Sequence, residues 1–373
     1  MRILDRGRED SLAIIRVGFG RSGFWLLACV GTQLIWVLAS SLLTGQHLSP
    51  WSPHLVAPVV LVLGSLVGAG LAQCWAQKKP VVPVAVALAI SAYAVPIYAN
   101  ASAAVGALLL ALAFMTYLDA KRSCEPKVGL DLDDVTVQHE KDSKQRILAT
   151  GVGAIGFLMT FGSQAVLAVA VPLLVLSFLS SRMKRGVPRW LGVRVGIFLV
   201  EMAAIAVLTL RLRDWWPSWL SASDSLSSAR HTLWSDALLL WRLNPVIGAG
   251  PGTFTESSDL ASSTPHLAAT HSSVLQVGAE LGVIGVVLLA AIFIAGILLA
   301  TRGNRIHGLI AGAAWTFLAI HSTIDHLEDF PVVALSAGMV LGWASLGLSP
   351  KHAKENQSLT VHRSSYEFLG RGS

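Results

Sequence analysis

Charge is what this 373-residue chain has least of: 13% of its residues are Asp, Glu, Lys or Arg, where a soluble domain carries about a quarter. With 53% hydrophobic residues gathered in long runs and not at amphipathic spacing, that scarcity excludes a large soluble core. Cysteine is scarce as well. Cys29 and Cys74 fall in apolar stretches and Cys124 in a polar loop, so neither a disulfide framework nor a CxxC metal knuckle follows. HExxH, Walker and GxSxG sequences do not occur, nor does a paired-carboxylate metal motif. The apolar run Phe24–Leu43 follows an arginine-bearing segment but has no small-residue cleavage site, and reads as a retained signal anchor. The net charge of +6 is no nucleic-acid signature, because the basic residues sit in short loops between apolar runs.

What is there is membrane-length apolar sequence. Candidate spans are 24–43, 55–76, 81–99, 101–118, 147–161, 163–181, 190–210, 273–300, 306–324 and 331–348, each near the roughly 20 residues a bilayer needs. Residues 81–118 read as one long span or two, and the pair 147–161 and 163–181 is short for two crossings, with a break near Phe161-Gly162-Ser163. The expectation is an all-α, polytopic integral membrane protein with about ten transmembrane helices and one large extracytoplasmic loop carrying an interfacial helix. Lys78-Lys79, Lys121-Arg122, Lys144, Arg146, the Arg182–Arg185 run, Arg302 and Arg305 all fall on one side of this arrangement, and segments 44–54, Asn100 and 325–330 on the other carry no Lys or Arg. Positive loops stay in the cytoplasm. The units are therefore a cytoplasmic N-terminal segment 1–23, a bundle 24–210 with a cytoplasmic loop 119–146 read as a solvated linker, an extracytoplasmic loop 211–272, C-terminal spans 273–348 and a cytoplasmic tail 349–373.

The chemistry concentrates between Arg230 and Gly285. Arg230, Trp234, Ala237 and Trp241 share one stripe of a helix over 227–243, and tryptophans at 215, 216, 219, 234 and 241 crowd the loop as they do at membrane interfaces. The outer loop has Arg211, Arg213, Arg230 and Arg242 and no lysine, and arginine forks onto phosphate oxygens as lysine cannot. Pro245 ends the helix, and Gly248, Gly250 and Gly252 follow at alternate positions, a turn whose backbone N–H groups are able to take an anion or simply connect. His271 stands at the start of the next helix, capped by Thr270 or Ser272, where the dipole disfavours imidazolium and leaves the neutral ring a general base requires. Gln276 and Glu280 share a face, and Glu280 reads as a structural carboxylate that must find a partner inside the bundle. His321 and Asp325 are one helical turn apart at the same outer side.

These residues in this order resemble a known family. Arg230-x3-Trp234, then Asn244-Pro245-x2-Gly248-x-Gly250-x-Gly252-x-Phe254, then His271-x3-Leu275-Gln276-x3-Glu280-x-Gly282-x2-Gly285, and finally His321–Asp325 with Phe330-Pro331, are similar to the signature region of the O-antigen ligase and O-antigen polymerase family over 227–348. The resemblance implies an integral membrane glycosyltransferase of the cytoplasmic membrane, active on its outer face. Its donor is a glycan on polyprenyl diphosphate and its acceptor a lipid, wall or protein glycan hydroxyl, with no metal and no other cofactor. By the same resemblance His271 is the base and Arg230 the diphosphate contact, while Arg242, Trp234, the three glycines, Gln276, His321 and Asp325 serve binding, and Glu280 and Gly282 are structural. Two departures accompany it: ten spans against about twelve in the family, and Ser163-Gln164 where many members carry Ser-Arg. The alternatives are a repeat-unit polymerase of the same family, a transporter or flippase, and an inactive relative.

Overall fold

The structure, a computed structural model, describes residues 21–123, 132–181, 188–211 and 228–346. The Arg182–Arg185 run, Cys124, Arg213, Trp215, Trp216, Trp219 and the terminal segments lie outside the described residues. Among the described residues every regular element is helical. In chain order they are α1 (Arg21–Thr44), α2 (Pro53–Ala76), α3 (Val81–Ala94), α4 (Ala99–Ser123), α5 (Leu132–Thr160), α6 (Gln164–Ser181), α7 (Arg189–Arg211), α8 (Ser228–Leu243), two short helices α9 (Thr253–Ser257) and α10 (Asp259–Ser263), then α11 (Ser273–Ala300), α12 (Arg305–Ser322) and α13 (Pro331–Leu346).

Each of the ten apolar runs coincides with a helix. By length and composition four of them, Ser22–Thr44, Pro53–Ala76, Ala99–Lys121 and Ser273–Ala300, qualify as membrane spans, and Val81–Ala94, Gln164–Ser180 and Pro331–Leu346 are shorter apolar helices. Residues 81–118 resolve into two helices, parted at Val95–Tyr98, where Pro96 removes a helical donor and restricts the residue before it. The break at Phe161–Ser163 likewise separates α5 from α6. Residues 132–146, read from sequence as a solvated linker, are instead the first half of α5. They are tied down on one side: Asp142, fully buried, takes the Lys78 ammonium, and Gln145 donates to the carbonyl of Trp75 at 2.9 Å.

Small residues set the spacing of the bundle. Gly64 and Gly68 of α2 press on the backbone of Leu335 and Met339 in α13, and Gly338 and Gly342 of α13 press back on Leu61 and Ser65. A side chain at any of the four would run into backbone, so two glycine pairs at four-residue spacing let these helices close to backbone contact. Gly106 of α4 and Gly156 of α5 repeat the device. The Ala-rich α4 is thereby enclosed, with Ala103, Ala104, Ala107, Leu108 and Ala111 fully buried.

One helix is broken, and the break positions the site. Within α11, Gly282 has φ 69° and ψ −168°, a backbone state that only glycine adopts readily. The loop after α8 fills the gap. Ala249 and Gly250 donate their N–H groups to the carbonyls of Ala279 and Glu280, both at 2.9 Å, and the Trp36 indole of α1 donates to the Leu281 carbonyl at 3.0 Å. In return Val283 donates to the carbonyl of Pro245 at 2.9 Å. The freed backbone groups of the break are satisfied by protein, as apolar surroundings demand.

Candidate functional site

The site gathers residues from five stretches of chain at one end of the bundle. Its centre is Asp325, in the turn after α12. The carboxylate accepts from the Asn100 amide at 2.6 Å and from the His326 backbone N–H at 2.9 Å, and His326 Nδ1 stands 2.9 Å from its Oδ1. His271 Nδ1 is 3.4 Å from Oδ1 and His321 Nε2 3.7 Å from Oδ2, both at ion-pairing distance without hydrogen-bond alignment. The backbone carbonyl of Asp325 takes the N–H of Ser273 at 3.1 Å, which locks this turn to the first turn of α11.

His271 is held from several directions. Its φ is +53°, an uncommon state for a residue with a side chain. The flanking residues enforce it: the Ser272 hydroxyl caps Leu275 N–H, the Thr270 hydroxyl donates to the Ser272 carbonyl at 2.7 Å, and Thr270 N–H reaches the Gln276 side chain at 2.9 Å. The ring packs edge-on to His326 at 4.2 Å between centroids and to Tyr98 at 6.4 Å. Arg230, 4% exposed, donates to the Ile324 carbonyl at 2.6 Å and to the Tyr98 hydroxyl at 3.2 Å. Tyr98 in turn stacks on Phe330 and accepts from Asn100 at 2.9 Å. Tyr98 thus joins the arginine to the histidine cluster.

Burial pushes the His271 pKa below the ordinary histidine value, against the pull of Asp325. The ring is neutral at pH 7, and with an ionised carboxylate facing Nδ1 the proton belongs there and the lone pair on Nε2. Burial also opposes ionisation of Asp325, but His271, His326 and His321 around it outweigh that and hold the carboxyl well below its usual range. His326 goes the other way. Its burial disfavours the cation, yet the hydrogen bond to Asp325 and the charges of Asp325, Asp329 and Glu328 lift its pKa above the ordinary value. His271, Asp325 and His326 each offer a ligand atom within 4.8 Å of the others. These are donor types that a divalent metal accepts, although the Arg230 guanidinium already stands as a fixed cation beside them.

A second polar line runs from this cluster to the broken helix. Gln276 donates to Glu280 Oε1 at 2.7 Å, and Glu280 Oε2 accepts from Gly252 N–H at 2.6 Å and meets His54 Nε2 of α2 at 2.8 Å. Glu280 therefore has the partner its position in an apolar helix requires.

Several residues singled out by sequence lie elsewhere or do something else. Gly248, Gly250 and Gly252 all have positive φ, but their N–H groups go to Asn244 O, Glu280 O and Glu280 Oε2. They are spent on holding the loop in the α11 break, so the turn is a clamp and not an anion nest. Trp234 is fully buried with Leu233, Ala237 and Phe254 and pins α8 instead of offering a sugar an open face. Arg242 is exposed in the last turn of α8. Twelve residues separate it from Arg230, about 18 Å along a helix, so the two do not share a ligand group. The helix expected over 227–243 is present as α8, with Arg230, Trp234 and Ala237 of its stripe buried and Leu239 and Leu243 exposed on the opposite side. His54, Tyr98, Asn100 and His326 were not singled out. Each is a polar or ring-bearing residue at the end of an apolar run, which is the only signal the sequence carries for them.

The chain matches no curated protein. A stretch that holds Arg230, the glycine turn, His271 and Glu280, and ends before His321 and Asp325, does match a family model. Residues 148–290 match the family model described as O-antigen ligase.

Proposed function

We propose that this membrane protein is a glycosyltransferase that moves a glycan from polyprenyl diphosphate to an acceptor hydroxyl on the outer face of the cytoplasmic membrane. The observation that carries the reading is the convergence of Arg230 and His271, from two distant segments, on the Tyr98–Asp325 cluster. The acceptor oxygen attacks the anomeric carbon of the donor sugar, the bond from that carbon to the diphosphate oxygen breaks, and its electron pair leaves with polyprenyl diphosphate. His271 Nε2 takes the hydroxyl proton. Asp325 keeps the His271 tautomer and stabilises the imidazolium that forms. Arg230 faces the charge that gathers on the leaving diphosphate, in a buried site where such an interaction is worth more than in water.

The family match supports a ligase- or polymerase-like membrane enzyme. Against a transporter, the break in α11 is filled by the chain's own loop, whereas transporters leave such breaks to coordinate cargo.

Mass spectrometry of polyprenyl-linked glycans in cells lacking the gene, rescued with wild type or His271→Ala, tests the reading. Long chains that accumulate and are cleared by wild type alone mark a ligase. Accumulated single repeat units mark a polymerase. An unchanged glycan pool overturns glycosyl transfer.

A further inference from the structure

Beside the histidine cluster lies a cavity of about 410 Å³, within the size range of small-ligand sites. His326 forms part of its wall, together with Glu280, Glu328, Asp329, His54 and Trp51. Among its described lining residues there is no Lys or Arg, and Arg230 is not one of them. His47 and His266 also line it; Glu280 is paired with His54 and His326 with Asp325, so the carboxylates left to face a ligand are Glu328 and Asp329, whereas Arg230 stands outside the cavity.

The three carboxylates are not equally occupied. Glu280 is spent on His54, Gln276 and Gly252 and acts as wall. Glu328 accepts from Ser273 through Oε2, while its Oε1, closed off from solvent, has no hydrogen-bond partner among the described residues. A buried acceptor left open is costly unless something fills it. Asp329 is 34% exposed on its side chain, and its only described ion-pair neighbour is His326 Nε2 at 3.8 Å. At the rim Trp51 is 84% exposed, an aromatic face of the kind on which a sugar ring or a cation settles. Burial and the Asp329 charge lift Glu328 to about 7, and burial raises Asp329 as well, so both carboxylates gain from a donor or a cation set between them.

Taking glycosyl transfer as the activity, we propose that this cavity is the acceptor subsite, and that it takes a glycan end whose hydroxyl or ammonium groups donate to Asp329, with Glu328 behind it, while excluding anionic sugars. The sign argument separates the substrates: a diphosphate donor is repelled from the chamber and held at Arg230, and the acceptor hydroxyl arrives from the His326 side. The Glu280–Gln276–Thr270 line ties the chamber wall to the loop that carries His271, so the subsite and the proposed base are parts of one frame.

The test is saccharide binding to the full-length protein in detergent, by calorimetry, with three probes: glucosamine trisaccharide (cationic), N-acetylglucosamine trisaccharide (neutral) and galacturonic acid trisaccharide (anionic). The expected order of affinity is cationic, then neutral, then anionic. Asp329→Asn should weaken the cationic probe about tenfold and the neutral one less, since a hydrogen bond to a charged group is the stronger kind. Trp51→Ala, a change at an exposed rim position, should weaken all three alike. Galacturonate binding as tightly as glucosamine, or affinities untouched by both variants, overturns the proposal. Because the readout needs no turnover, the two readings fail separately. An unchanged polyprenyl-glycan pool in the deletion strain would remove glycosyl transfer, and a charge order that fails would remove the acceptor subsite.

Discussion

His54 and Glu280 are 226 positions apart in the chain and 2.8 Å apart in the molecule. That one contact fixes α2 against the broken α11, and through Gln276 it reaches the loop of His271. Replacing His54 by Ala leaves Glu280 buried with one partner fewer, at a cost of about 1–3 kcal/mol. The expected result is a lower thermal midpoint in detergent. Glu280→Gln should be milder, because the amide oxygen still accepts from Gly252.

His271→Ala should lower transfer about 10²–10⁴-fold, the usual contribution of a general base, with normal protein level in the membrane. Transfer at the wild-type rate would remove His271 from the proton-accepting role. Chelation of divalent cations should leave the rate unchanged, and a loss reversed by adding metal would instead assign His271, Asp325 and His326 as metal ligands.

The pH profile carries its own sign. The His271 pKa lies below its ordinary value of 6.5, and the base works only unprotonated. The rate should therefore hold from weakly alkaline pH down to 6.5 and fall below it. Asp325→Asn withdraws the charge that favours the imidazolium. It should lower the plateau and move the acid limb to still lower pH, which a purely structural defect would not do.

Arg230→Lys keeps the charge and loses the fork that reaches both the Ile324 carbonyl and the Tyr98 hydroxyl. A decrease of about 10²–10³-fold is expected, the range for removing one donor at a centre of developing charge. It should appear in the maximal rate more than in donor KM.

Gly282→Ala places a methyl group against the Val246 carbonyl in a left-handed backbone state. A loss of about 1–3 kcal/mol is expected, seen as faster proteolysis of the 244–252 loop.

Much of the helical framework was legible because an apolar run of membrane length has few alternatives, and Phe161-Gly162-Ser163 marked one of the breaks, whereas 81–118 stayed open as one span or two until the structure parted it at Pro96. The first half of α5 was not. Its charged residues resemble a solvated linker, and what orders Asp142 and Gln145 is a lysine and a backbone carbonyl more than 60 residues earlier. Arg230 drew notice from its stripe with Trp234 and Trp241, His271 from its place at a helix start, His321 and Asp325 from their one-turn spacing, and Glu280 as a carboxylate inside an apolar span. Sequence left the glycines open between an anion-binding turn and a connector for a physical reason. Positive φ is evident from residue type, but which acceptor each N–H meets depends on where the chain places the α11 break. His54 escaped for the same cause: a carboxylate in an apolar helix demands a partner, and sequence does not say which of eleven histidines stands at its depth.

The site is also a matter of timing. Its parts arrive from Tyr98, Arg230, His271 and finally Asp325–His326, each on a different segment. Until the last of these leaves the ribosome, His271 has no carboxylate, Arg230 lacks the Ile324 carbonyl, and the first turn of α11 is unpinned. A nascent chain therefore lacks the assembled cluster until the turn between α12 and α13 has emerged and Ser273 has closed on the Asp325 carbonyl.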